Sequence, residues 1–142
     1  MSEPHAPHEL TLRVYYEDTD FSGFVYHARY LHFFERARTE MLRALGHDQR
    51  AMFANPDGPE SFVVRRMAIE FLRPALMDDI VCVRSATTRV AGATMQIDQR
   101  LWRGGEELCR ADVQVAYLVG GKPRRMPDNL RALFEGAAAA AD

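Results

Sequence analysis

The chain has 142 residues, a formal net charge of −2 and 47% hydrophobic residues, a size and composition that fit one domain with a sizeable core. The near-neutral charge argues against a surface built for nucleic acid. No apolar run approaches the roughly 18 residues of a transmembrane helix, and the polar, Pro-containing start "MSEPHAPHEL" lacks the basic and then apolar order of a secretory signal, so a cytoplasmic location is expected.

Residues 1–8 are read as a loose tail. Leu10, Leu12, Val14 and Tyr16 then alternate with Thr11, Arg13 and Tyr15, which predicts a strand over 9–17. The turn-like "EDTDFSG" closes it at Gly23. From about Ala28 the period changes: Tyr30, Phe33, Phe34, Ala37, Met41, Leu42 and Leu45 recur at helical spacing, with charged residues on the opposite face and Gly46 as a stop. A loop over 47–60, containing "NPDGPE", separates this helix from the second half of the chain.

That second half reads as strands. Four are predicted, over 62–71, 79–90, 94–102 and 107–119. Met95, Ile97, Gln99 and Leu101 share a face of the third, and Cys109, Ala111, Val113, Val115, Tyr117 and Val119 share a face of the fourth. Short turns between consecutive strands predict antiparallel pairing, and "GGKPRRMP" leads to a short helix over 128–135. Cys82 and Cys109 fall inside strand patterns and are read as two buried free thiols. The whole predicts an α+β domain over 9–135, one long helix against an antiparallel sheet, with a frayed tail over 136–142.

The chemistry concentrates in "VYYEDTDFSGFVYHARY", residues 14–30. Asp18, Asp20, Ser22 and Gly23 match the opening of a calcium loop, but the twelfth position, where a bidentate Glu is required, is Arg29. Zinc fares no better, since His27 has no ligand three or four residues on. Aspartate-based phosphoryl transfer needs a wound parallel sheet, which the consecutive strands oppose. A carboxylate before a helix can simply cap it, and Glu17 and Asp18 are read as turn and surface residues. An acyl-transfer reading uses more of the pattern. Unpaired N–H groups at a helix start can polarise a carbonyl as it gains charge. A neighbouring carboxylate, Asp20, can attack that carbonyl or activate a water. Gly23 lets the backbone approach closely. A thioester is the natural target for so weak a nucleophile, because a thiolate leaves readily.

The run "RVYYEDTDFSGFVYHARYLHFFERARTEML", together with "FVVRRMAIEFLRPALMDDIVCV" and "KPRRMP", resembles the hotdog-fold acyl-CoA thioesterases. It is closest to the subgroup associated with the Tol-Pal system within the 4-hydroxybenzoyl-CoA thioesterase-like family, over about residues 10–135. The resemblance implies a hotdog fold, a curved antiparallel β-sheet wrapped around one long α-helix. It implies that Asp20 is the catalytic acid and that the backbone N–H of His27 polarises the thioester carbonyl, its side chain assisting. It implies an acyl-CoA (or acyl-carrier-protein thioester) substrate lying in a groove of a homodimer or homotetramer, with no metal or redox cofactor. The candidate set is therefore Asp20 and His27 as catalytic residues, with Gly23, Tyr26, Arg65, Arg66 and Arg89 for substrate binding. In the aromatic-CoA members a hairpin rich in basic residues meets the nucleotide phosphates. Here that hairpin is "RVAGAT", with Arg89 its one charge, and Arg65, Arg66, Arg124 or Arg125 are the other candidates. Two rivals remain at this point: a hotdog hydratase, and a non-catalytic acyl-thioester binding or scaffold protein.

Overall fold

The structure, a computed structural model, describes residues 7–47 and 49–141. In chain order it contains β1 (His8–Arg13), a 3-10 turn (Tyr16–Asp18), α1 (His27–Ala44), α2 (Gln49–Met52), β2 (Glu60–Phe71), β3 (Ile80–Ala91), β4 (Thr94–Arg103), β5 (Glu106–Val119), β6 (Lys122–Pro123) and α3 (Asp128–Ala141). The class is α+β, as expected, and the arrangement is the hotdog one: a curved antiparallel sheet around one long helix.

The sheet runs β1-β3-β4-β5-β2, with β6 also on β5. β3, β4 and β5 form the expected consecutive antiparallel hairpins. β2 and β3 do not pair, contrary to expectation: β2 lies against β5, and β1 takes the free edge of β3. The physical reason lies in the connection 72–79, which is too long and too Pro-interrupted for a tight hairpin turn. It carries the chain across the sheet past the start of α1. The first strand also ends earlier than predicted, because Val14 leaves the ladder and residues 16–18 coil into the 3-10 turn.

Three register shifts bend the sheet: at Val64/Arg66 in β2, Thr87/Arg89 in β3, and Leu101/Trp102 between β4 and β5. A bulge adds local twist and bends its strand, so the sheet curls around α1. The concave face carries the alternating positions read from the sequence. Met95, Ile97, Gln99 and Leu101 of β4 and Cys109 through Val119 of β5 are buried there. α1 presents Tyr30, Phe33, Phe34, Ala37 and Met41 to it, all buried. Ala37 has no bulk beyond Cβ, which lets the helix sit close to the strands.

A buried amide lies under this interface. The Gln99 amide, fully buried, donates to the Phe34 carbonyl and to Ser85 Oγ, each over 3.0 Å, and accepts from Arg38 Nη1 over 2.9 Å. Its two donors and its oxygen are thereby occupied, as a buried amide requires. The cysteines are both free, but only Cys109 is buried; Cys82 is half-buried, a correction to the expectation. Burial pushes the Cys109 thiol up to about 12, so it is inert as a nucleophile at neutral pH.

Candidate active site

The loop bearing Asp20 is a small hairpin. Thr19 bridges Val25, the Asp20 N–H donates to the Phe24 carbonyl over 2.9 Å, and the Gly23 N–H donates to the Asp20 carbonyl over 3.1 Å. Gly23 has φ of 81°, a left-handed conformation that glycine adopts without a Cβ penalty. The turn itself therefore requires a glycine at this position. Phe24 bridges Leu76, and the Val25 N–H donates to the Ala75 carbonyl over 2.8 Å, so the hairpin leans on the connection between β2 and β3. That connection is pinned in turn to α1, because the Ala75 N–H donates to the Tyr30 hydroxyl over 3.0 Å.

Asp20 is exposed at the tip. Its Oδ1 accepts the Ser22 N–H over 2.8 Å and also the Ser22 hydroxyl. These bonds favour the charged form and hold the Asp20 carboxyl below the usual carboxylate range, the Ser22 hydroxyl contributing most. Asp20 is thus ionised at neutral pH, and Ser22 does not occupy its second oxygen. It does not cap the helix. The N-cap of α1 is Tyr26, and no side chain caps it. The Arg29 N–H donates to the Tyr26 carbonyl over 2.8 Å, so His27 and Ala28 supply the N–H groups that keep their capacity to polarise a carbonyl.

Two open hollows flank the Asp20 loop. One, of about 580 Å³, is lined by Asp20, Gly23 and Tyr26 together with Tyr16, Phe21 and Met77. The other, of about 410 Å³, is lined by Asp20 and His27 together with Tyr30, Phe71, Leu72 and Arg73. Asp20 alone borders both. The structure thus brings together four sequence candidates: Asp20, Gly23, Tyr26 and His27. The Tyr26 and His27 rings lie 4.5 Å apart.

The three arginine candidates are elsewhere. Arg66 pairs in register with Gln114, Gln114 with Gln96, and Gln96 with Arg89. This row crosses the convex face of the sheet, away from α1. Arg65 sits exposed at the β2 bulge. None of the three lines either hollow. The cation that does line the second hollow is Arg73, 3.3 Å from Glu106; "FLRPAL" carried no signal for it beyond the Pro.

Asp18 is the residue the sequence reading misplaced. It is 4% exposed, not a surface residue. Its Oδ1 accepts Arg29 Nε over 2.9 Å and lies 2.7 Å from Arg29 Nη2, while its Oδ2 accepts the Tyr15 N–H over 2.8 Å. Its carbonyl accepts the Tyr26 N–H over 2.9 Å.

A curved antiparallel sheet around one long helix is the hotdog arrangement, and here an ionised acid stands beside the uncapped start of that helix. The chain belongs to the thioesterase superfamily, whose family model matches residues 22–110. It is 46% identical over 125 residues to the acyl-CoA thioesterase YbgC of Haemophilus influenzae, covering 87% of this chain and 90% of that one. It is 40% identical over 127 residues to the acyl-CoA thioester hydrolase YbgC of Escherichia coli O6:H1, covering 87% and 92%. Among solved structures, a probable thioesterase from Bartonella henselae superimposes with a TM-score of 0.82 at 43% identity, covering 86% of this chain and all of that one.

Proposed function

We propose that the protein hydrolyses the thioester of an acyl-CoA to the free acid and CoA, with Asp20 acting on the thioester carbonyl. The observation that carries this is the pairing of an exposed, ionised Asp20 with the uncapped start of α1 around one hollow. The carbonyl oxygen meets the N–H groups of the first turn, beginning with His27, as it gains negative charge. The carbon accepts an oxygen, from Asp20 itself or from a water whose proton Asp20 takes. The C–S bond breaks and the thiolate leaves with a proton. If Asp20 attacks, the thiolate leaves as an acyl–aspartyl anhydride forms, and one water opens it: addition at the acyl carbon puts the water oxygen in the acid, and addition at the aspartyl carbon puts it in Asp20 while the acid leaves with an Asp20 oxygen. The relatives' acyl-CoA activities and their coverage of the chain support this substrate class.

The same reading makes the working unit a homodimer. β2 is a 12-residue strand on the edge of the sheet, and Val63, Val64 and Phe71 on it and Leu72 just beyond it are exposed. A long apolar edge of this kind invites a second strand. Phe71 and Leu72 also line the hollow shared by Asp20 and His27, so a partner on β2 borders the site. Antiparallel self-pairing sets the Phe71 end of one β2 beside the Glu60 end of the other. At that end a further cavity of about 400 Å³ opens between α1 and the sheet, walled by Met41, Phe62, Val64, Met95 and Ile97. In this arrangement it is the space for the acyl chain held by the partner subunit.

The test is thiol release from a panel of acyl-CoAs, run once in H₂¹⁸O. Over many turnovers label in the product acid is expected; in a single turnover, label in Asp20 in place of the acid marks an anhydride opened at the aspartyl carbon. Binding without thiol release would instead identify a scaffold protein.

A further inference from the structure

Buried Asp18 and half-buried Arg29 form a pair whose bonds converge on both ends of the Asp20 loop. Tyr15, before the loop, donates its N–H to Asp18 Oδ2; Tyr26, after it, donates its N–H to the Asp18 carbonyl; Arg29, one turn into α1, holds Oδ1 through Nε and Nη2. One residue therefore joins the end of β1, the 3-10 turn and the first turn of the helix. We propose that Asp18 and Arg29 are positioning residues of the thioesterase site: they fix the Asp20 carboxylate relative to the N–H groups that begin α1. This rests on the reading of Asp20 given above.

The geometry separates this role from catalysis. Asp18 is buried, both its oxygens are engaged, and it lines neither hollow. Arg29 does line the hollow beside Phe21, but its Nε and Nη2 are committed to Asp18, so it acts through Asp18 and not as a cation for the substrate. The reaction needs two groups in one geometry, a carboxylate on a hairpin and N–H donors on a helix. Those groups are seven residues apart, from Asp20 to His27, and the hairpin between them is exposed. The backbone bonds inside the hairpin shape the loop; the Asp18–Arg29 pair sets its place against the helix. Displacing a reacting group by about 1 Å can cost about 10²-fold in rate. Lysine at position 29 would keep the charge but offer one nitrogen in place of the planar two-nitrogen grip.

The experiment is a double-mutant cycle on the full chain with Asp18→Asn, Arg29→Gln and their combination, together with Arg29→Lys, and Asp20→Asn as the reference. kcat, KM and melting temperature are measured for each on a short-chain acyl-CoA. Each single variant, including Arg29→Lys, is expected to lose about 10- to 100-fold in kcat with KM within about twofold. The combination is expected to lose no more than the worse single, because the two act as one unit. If Asp18→Asn does not fold, Arg29→Gln and Arg29→Lys carry the test, since they alter the more exposed member. Folded variants that keep kcat within about twofold, beside an inactive Asp20→Asn, would overturn the positioning role alone. A recovery of full kcat in Arg29→Lys would overturn the two-nitrogen grip. An active Asp20→Asn would instead overturn the reading of Asp20 on which the pair depends.

Discussion

Ser22 holds Asp20 by one oxygen: its backbone N–H lies 2.8 Å from Asp20 Oδ1, and its hydroxyl donates to the same atom. The loop thus fixes the carboxylate and favours its charged form without using its second oxygen. A group whose pKa is lowered in the folded protein stays ionised further into acid, so the activity that depends on it falls only below the usual carboxylate range. Ser22→Ala removes the largest cause of the lowering and leaves the backbone donor. The acid limb of kcat/KM, which reports the free enzyme, is expected to move to higher pH in that variant. A carboxyl NMR titration of Asp20 checks the same shift directly; an unmoved titration would mean that the Ser22 hydroxyl does not act on Asp20 in solution.

The helix face is tested by Phe34, which is fully buried between α1 and the sheet. Phe34→Ala is expected to destabilise the fold by about 3–5 kcal/mol, the range for a large core truncation. Urea unfolding measures it.

Gln99→Leu tests the polar group beneath the helix. The volume is similar, but the Ser85 hydroxyl, the Phe34 carbonyl and the Arg38 guanidinium each lose a partner. A buried polar group left unsatisfied costs about 1–3 kcal/mol. The variant is expected to lose at least that much despite its greater hydrophobicity, again by urea unfolding; a stabilised variant would show that these groups find other partners.

Much of this architecture could be read in the sequence. The stripe from Tyr30 to Met41 is an unbroken helical period, and the alternation from Cys109 to Val119 is an unbroken strand period, so both buried faces were legible. The order of strands was not. Pairing of β2 with β5 in place of β3 depends on which edge is free once β1 has docked on β3, and that is a tertiary outcome. Asp20, Gly23, Tyr26 and His27 were legible because they lie within eight residues of chain and meet around one loop. Asp18 was not: its fate is set by Arg29, 11 residues away, coming round to bury it, and an Asp in a turn-like run otherwise reads as solvated. The distance of Arg65 and Arg66 from the two hollows was also not legible. The bulge at that point changes which face each residue takes, and period-2 counting cannot see a bulge.

The exposed β2 edge predicts the assembly. Light scattering at micromolar concentration is expected to give a dimer or a tetramer. A monomer would contradict the shared site, in which Phe71 and Leu72 lie between the hollow and the partner strand.

The central claim is that Asp20 does chemistry and does not merely shape its turn. Asp20→Asn keeps the shape and an oxygen that can accept from Ser22, but loses the charge and the basic oxygen. Removal of a general base typically costs about 10²–10⁴-fold, and Asp20 is exposed, so the fold should be little affected. The measurement is single-turnover thiol release from a short-chain acyl-CoA, with melting temperatures of both proteins taken alongside. A loss of at least about 10²-fold at an unchanged melting temperature is expected. Hydrolysis within about tenfold of the unmodified protein, or a loss that merely follows a fall in stability, would contradict it and leave Asp20 as a turn residue.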